Sequence, residues 1–257
     1  MKISVITIVY NDVSHIVQTM HSVLQQTARD SIDYIIIDGA SDDGTSELIR
    51  SCEMQPDVYV REKDKGIYNA MNKGLRYASG DFVIYINSGD SFVAHNVVER
   101  VIHSISECER IPIIAYGDYR EKHGVHYGQP IPSRKYNKIW YGPVASHQST
   151  FYNLHFLRSN ELSYDENYKV AADYKLTLEV IKMANENVLQ MPFCISNFDV
   201  QGVSSKNQNM GLFEANRARR EILGWGWIRE YLLTLLLLGA RIMRHHGKGL
   251  YSFLRRL

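Results

Sequence analysis

The 257-residue sequence is poor in cysteine: Cys52, Cys108 and Cys194 stand far apart, and none belongs to a CxxC pair. An odd, scattered set excludes a disulfide framework and a cysteine zinc centre, and it suits a reducing cytoplasm. Long hydrophobic runs are also lacking. The apolar stretch Tyr231–Ala240 is ten residues, short of the ~20 that a bilayer-spanning helix needs. At the other end, Ile3–Val9 meets Asn11-Asp12 too soon for a signal peptide and is expected to be a strand. There is no excess of one charge, 29 Lys and Arg against 28 Asp and Glu giving +1. From Arg217 onward, however, nine basic residues face two acidic ones, so the tail carries about +7 and the body about −6. A mildly acidic body argues against nucleic acid as a ligand. Three motifs are missing as well: no GxxxxGK[ST], no GxGxxG after the first apolar run and no GxSxG. These absences exclude a P-loop NTPase and weigh against a dinucleotide oxidoreductase and an α/β-hydrolase.

What is present reads as a parallel α/β sheet. Ile3–Val9, Tyr34–Ile37, Asp57–Glu62 and Phe82–Ile86 are short runs rich in Val, Ile and Tyr, as buried parallel strands are. Helical spacing separates them: Ile16, Met20, Val23 and Leu24; Leu48 and Ile49, with Thr45 or Ser46 as cap; Ala70, Met71, Leu75 and Ala78. A further helix is expected from about Asn96 to Ser106. Beyond Pro112 the alternation becomes irregular: a strand at Ile113–Arg120, a hairpin return at Gly124–Gly128, a polar loop at Pro130–Gly142, a helix from about Tyr168 to Ala184, then a strand pair, or a strand and loop, over Val188–Val200. The organisation expected is one domain over residues 1–210, with a nucleotide-binding half (1–110) and an acceptor half (111–210), followed by a basic amphipathic tail (211–257).

In an open α/β sheet, ligands sit beyond the carboxyl ends of the strands. The groups gathered there are Thr7 to Asn11 after the first strand, Asp38 after the second, and Asn87 and Asp90 after the fourth. The turn and helix Gly66–Lys73 add Asn69, Asn72 and Lys73 within one helical turn. Asp90 reads either as a ligand carboxylate or as a helix cap. One carboxylate, together with substrate phosphates and water, is a sufficient anchor for Mg²⁺ or Mn²⁺. Asp173 falls in the first turn of its helix, where the dipole stabilises its charge by ~0.3–1 kcal/mol; it reads as a poised base or as helix-end decoration. The tail, with Trp225, Trp227, Tyr231 and a leucine run beside arginines, fits a helix lying in a membrane interface, a helix packed on the domain, or a dimer contact.

Together, Ile3–Asn11, Ile37–Thr45 and Asn87-Ser88-Gly89-Asp90 resemble the family 2 inverting glycosyltransferases of GT-A fold. Glu62–Gly74, Ser146-His147-Gln148 and Ala172-Asp173-Tyr174 resemble the bacterial branch that builds colanic acid, O-antigen and capsular polysaccharide. The resemblance covers about residues 1–200. It implies a hexosyltransferase that takes a sugar from a nucleotide sugar, usually a UDP-sugar, with a divalent metal (Mn²⁺ or Mg²⁺). By position, Thr7, Val9, Tyr10 and Asn11 would line the nucleoside and Asp38 would accept from uracil. Asp64, Lys65, Gly66, Asn69, Asn72, Asn87, Ser88 and Gly89 would complete the donor site. Asp90 would bind the metal, standing last in a DxD-type motif whose first Asp is here Asn87 and whose next is Gly89. Asp173 would be the catalytic base, and His147 and Gln148 would lie by the acceptor or the leaving diphosphate. The acceptor implied is a polyprenyl-linked glycan, which would place the enzyme in the cytoplasm, peripheral at the inner face of the bacterial membrane. Three other readings stand beside this one, one of them a membrane-recruiting scaffold that rests on the tail. A sugar nucleotidyltransferase is disfavoured because Thr7–Asp12 has no Gly- and Lys-rich loop, and a non-catalytic partner that kept the fold draws support from Asn87 and Gly89.

Overall fold

The structure, a computed structural model, describes residues 1–200 and 208–246. Among these residues the centre is a nine-stranded mixed sheet in the order β3 (Val58–Arg61), β2 (Ile32–Asp38), β1 (Ile3–Val9), β4 (Phe82–Tyr85), β8 (Thr150–Asn153), β6 (Ile114–His123), β9 (Val188–Asp199) and β5 (Ser91–Phe92), with β7 (His126–Tyr127) hairpinned onto β6. Strands β1 (Ile3–Val9), β2 (Ile32–Asp38), β3 (Val58–Arg61) and β4 (Phe82–Tyr85) run parallel. Their connections are α1 (Ile16–Leu24), α2 (Thr45–Ser51) and α3 (Ile67–Tyr77). This is the parallel half that the sequence predicts. β-Branched residues fill it because a strand covered on both faces must be apolar on both. In β1, Ile3, Val5 and Val9 enter the core under α1 and α2, while Ile6 and Ile8 enter the opposite core under α3.

The second half breaks the parallel order. β8 (Thr150–Asn153) joins β4 antiparallel, β6 (Ile114–His123) joins β8 antiparallel, and β9 (Val188–Asp199) returns parallel to β6. β5 (Ser91–Phe92) closes the far edge and β7 (His126–Tyr127) forms the expected hairpin. Val188–Val200, expected as a pair of strands or a strand and loop, is one twelve-residue strand through Asp199. Its ladder with β6 is interrupted by register shifts between Tyr116 and Tyr119, which take up the irregular pattern without ending the strand. The short β8 and the helix α5 (Leu154–Ser159) after it carry no periodicity long enough to be read from sequence. Neither Thr45 nor Ser46 caps α2: Asp43 accepts from the Thr45 N–H at 3.0 Å, and Ser46 turns inward to Asp38.

Helices α4 (Val97–Ser106) and α6 (Ala172–Ala184) follow the expected apolar spacing. The tail begins with α7 (Gln208–Leu223) and α8 (Trp227–His246). Glu214, 5% exposed, accepts from the backbone N–H groups of Lys169, Val170 and Ala171 at 2.8, 2.9 and 2.9 Å. These amides lie in the segment that leads into α6, so a residue about forty positions later holds the entry to the helix that carries Asp173. The Arg219 guanidinium and the Glu230 carboxylate, both buried, pair at 3.2 Å and tie α7 to α8. Among the described residues no helix is long and apolar enough to cross a membrane. The basic residues Lys248, Arg255 and Arg256 lie outside the described residues.

Replacing Glu214 with Ala removes the acceptor of three N–H donors, that of Ala171 buried, and hydrogen bonds to a charged group contribute about 1.5–3 kcal/mol each. We expect Glu214→Ala to lose about 2–4 kcal/mol in urea unfolding, with Asp173-dependent activity lost before the fold is.

Candidate active site

The carboxyl ends of β1, β2 and β4 meet above the sheet. Asp38, at the end of β2, is fully buried and heads a small network. It accepts from the Ser41 N–H at 2.8 Å, from the Tyr59 hydroxyl at 2.9 Å and from the Ser46 hydroxyl, and Arg61 stands 3.8 Å away. Burial alone would raise this carboxyl, but the hydrogen bonds from Ser46, Ser41 and Tyr59 outweigh it and hold it below the ordinary 3.8. The acid at 38 thus braces the loop 38–46, with both oxygens occupied by protein groups. Thr7 is likewise turned inward by strand parity. It bonds the Ile86 carbonyl at 2.7 Å and Tyr34 at 3.1 Å, and Val9 is in the core.

What opens toward solvent is Tyr10, 64% exposed, with Asn11 beside it in a left-handed conformation (φ 49°). The Asn11 side chain exchanges hydrogen bonds with Asp42. Tyr10 and Asp64 crowd Gly39 so closely that a Cβ there would fall 2.5 Å from the Asp64 carboxylate. Asp64 in turn accepts from the Gly66 N–H at 2.9 Å, and the Lys65 N–H reaches Asn69. Asn69 and Asn72 both donate to Glu166, and Asn72 also exchanges bonds with the Tyr164 backbone. Lys73 folds back onto the Lys63 carbonyl and Glu62. The polar face of α3 therefore clasps the 164–166 loop, a partnership invisible in sequence because Glu166 lies ninety residues away.

After β4 the chain turns at Asn87-Ser88-Gly89-Asp90, with Gly89 at φ 96°. Ser88 bonds Asp12 at 2.6 Å. Asp90 is 5% exposed and is held from both sides, by the Gln148 amide at 2.7 Å and the Asp199 N–H at 2.9 Å. Burial pushes its carboxyl up to about 6, against the pull of those two donors. The Asp199 carboxylate is close to Gly89, whose missing side chain leaves room there: an added Cβ would lie 3.6 Å from Asp199 Oδ2. Lys122 reaches the same turn from behind, donating to the Gly89 carbonyl and Gln18. Among the described residues no three His, Cys, Asp or Glu side chains form a metal cluster. Asp90 and Asp199 both flank Gly89, with both Asp90 oxygens bonded to protein and Lys122 4.0 Å from Asp199, so a hard divalent cation here would draw its other ligands from phosphate oxygens and water.

Across a cavity of about 290 Å³ stands Asp173, in the first turn of α6. The cavity is lined by Tyr119, Arg134, Ser146, His147, Gln148 and Asp173. His147 lies between the halves: its Nε2 is 3.1 Å from the Asn87 amide and its Nδ1 is 3.5 Å from the Asp173 carboxylate. His147 and Gln148, both in the cavity wall, thus link the turn after β4 to the first turn of α6. A larger cavity, about 400 Å³, lies on the other face of the sheet between α1 and β5 and contains none of these groups. Sequence reasoning missed Asp199, Glu166 and Glu214, single acidic residues whose meaning arises only from tertiary contact.

A parallel front half with polar groups at its strand ends, continued by an antiparallel back half, makes a mixed sheet of GT-A type. The family model for Glycosyl transferase family 2 matches residues 4–160. A relative from Mycobacterium tuberculosis (strain CDC 1551 / Oshkosh), named an uncharacterized glycosyltransferase, is 29% identical over 212 residues, 82% of this chain and 80% of that protein. Glycosyltransferase GlyA of Streptococcus pneumoniae is 25% identical over 91% of this chain but only 33% of its own. Among solved structures, S. aureus TarS 1-349 in complex with UDP-GlcNAc superposes with a TM-score of 0.70 at 18% identity, over 86% of this chain and 65% of that one. Mannosyltransferase PcManGT from Pyrobaculum calidifontis, in complex with GDP-Man and Mn²⁺, gives 0.64 at 17% identity, over 99% and 78%. The chain belongs to glycosyl transferase family 2 and is a glycosyltransferase.

Because Asp38 is held below 3.8, the stability it contributes is present above that pH and is lost as the pH falls through the lowered value. Asp38→Asn should therefore lower the melting temperature at pH 7, and the gap from wild type should shrink below pH 4 in an acid titration followed by circular dichroism.

Proposed function

We propose that this glycosyltransferase moves a hexosyl group from a UDP-sugar, with inversion, to a hydroxyl of a growing, lipid-linked bacterial surface polysaccharide of the O-antigen, capsular or colanic acid kind. The observation that carries the inverting step is that Asp173 lines a cavity whose wall, through His147 and Gln148, is bonded to Asn87 and Asp90 of the turn after β4. The donor's diphosphate lies at the Asn87–Asp90 turn and its nucleoside by Tyr10, Asn11 and Gly39. Asp173 takes the proton of the acceptor hydroxyl as that oxygen bonds to the anomeric carbon, and the bond to the diphosphate breaks on the opposite face. Gln148 keeps Asp90 aimed at the turn, and His147 borders the acceptor side. Asp90, with Asp199 beside it, would hold Mn²⁺ or Mg²⁺, which when bound neutralises charge on the leaving diphosphate. The UDP-GlcNAc and the GDP-Man and Mn²⁺ named for the structural neighbours support this choice of donor and ion.

A membrane-bound acceptor suits the tail. Ile228, Tyr231, Leu232, Leu235 and Leu236 recur at helical spacing on α8 and are exposed, as is Trp227, while Glu230 and Leu233 face the domain. One stripe of the helix is thus packed and the other is free to lie in a lipid interface, with the enzyme at the inner face of the cytoplasmic membrane. Basic residues near such a surface add about 1 kcal/mol each toward anionic lipid.

Incubating the protein with a panel of nucleotide sugars should give UDP release from one UDP-sugar, lost with EDTA. Asp173→Asn should keep donor binding and lose ~10²–10⁴ in rate; full turnover in that variant would remove Asp173 from its role. Because the Asp90 carboxyl must shed its proton to meet a cation, and sits at about 6, the thermal shift from Mn²⁺ with UDP should grow between pH 5 and pH 7.5 and vanish in Asp90→Asn. Trp227→Ser with Leu232→Ser should weaken co-sedimentation with phosphatidylglycerol vesicles; unchanged binding would argue that α8 docks elsewhere.

A further inference from the structure

One side chain connects the donor turn to the base. His147 sits in the single turn His147–Ser149, its side chain 19% exposed, with Nδ1 3.5 Å from Asp173 Oδ2 and Nε2 3.1 Å from Asn87 Nδ2. A carboxylate only accepts, so the ring nitrogen facing Asp173 is the one that carries hydrogen. A neutral imidazole has one N–H, which leaves Nε2 as a bare acceptor. Asn87 then has to present its NH₂ group to it, and that is the orientation observed.

Asn87 Oδ1, turned the other way, is buried without a partner. An orphaned oxygen costs about 1–3 kcal/mol, so something must hold the amide in that pose. The flipped amide would set oxygen against the lone pair of Nε2 and leave an NH₂ group where no acceptor stands. The carboxylate at one end of the chain thus fixes the amide at the other.

We infer that Asn87 selects the Nδ1–H tautomer of His147, and that His147 in that form is a positioning residue for Asp173. The inference rests on Asp173 being the base. The Nδ1–H holds Oδ2 and leaves the other carboxylate oxygen for the acceptor hydroxyl; the 3.5 Å gap is one that closes when substrate fills the cavity. It also gives Asn87 a task that an Asp in its place would undo. A carboxylate there would place an acceptor at each ring nitrogen and favour the doubly protonated ring, so the single-hydrogen tautomer would no longer be selected.

The test is nitrogen NMR of the imidazole rings in the full-length protein labelled at histidine, with His147 assigned from the signal lost in His147→Gln. Wild type at pH 7.5 should show His147 as the Nδ1–H tautomer, and Asn87→Asp should shift it toward the doubly protonated ring. An Nε2–H ring or a doubly protonated ring in wild type, or no change in Asn87→Asp, overturns the inference. This readout needs no turnover, so it stands apart from the fate of the proposed reaction. Kinetics adds a second arm. His147→Asn keeps an N–H at the δ position and should retain about a tenth or more of kcat, whereas His147→Gln should lose about 10²-fold in kcat with donor KM unchanged. Equal losses in the two variants, with both folded by circular dichroism, would reduce His147 to a packing role.

Discussion

The Asp90 carboxylate receives the Gln148 amide on one oxygen and the Asp199 N–H on the other, and the rest of the site is assembled around that grip. The three partners come from the turn after β4, from the segment entering β8, and from the end of β9. None of these is adjacent in sequence, and two lie in the irregular half of the sheet. Burying a carboxylate is costly unless it is well bonded, so the three pieces have little freedom to drift apart. The same grip brings His147, next to Gln148, within reach of both Asn87 and Asp173.

The front half was legible because its physics is local. A β-branched run such as Ile3–Val9 has one use, and the apolar spacing in α3, α4 and α6 has one period. The back half was less legible because its strands are either two to four residues long, as β5 and β8 are, or interrupted in register, as β9 is against β6. Short antiparallel pieces gain their stability from neighbours across the sheet and leave little signature along the chain.

The site divides similarly. Asp90 and Asp173 were found in sequence and stand where strand ends and a helix start put them. Thr7 and Asp38 were recognised as residues but not in their surroundings. Strand parity sends Thr7 into the β1–β4 seam, and hydrogen bonds from a serine, a tyrosine and a backbone amide enclose Asp38. Position along a strand can be read from sequence, but the side chains that converge on it from other elements cannot. Asp199, Glu166 and Glu214 lay beyond reach for that reason.

The clasp of Glu214 on the start of α6 has a consequence for the order in which the enzyme comes into being. Chains are made from the amino terminus, and domains begin to fold as they emerge. The four parallel strands are complete long before residue 214 exists, whereas the three amide groups that lead into the helix bearing Asp173 wait for their acceptor until α7 arrives. On the reading proposed above, the surface that would hold a donor precedes, in the order of synthesis, the contact that settles the base.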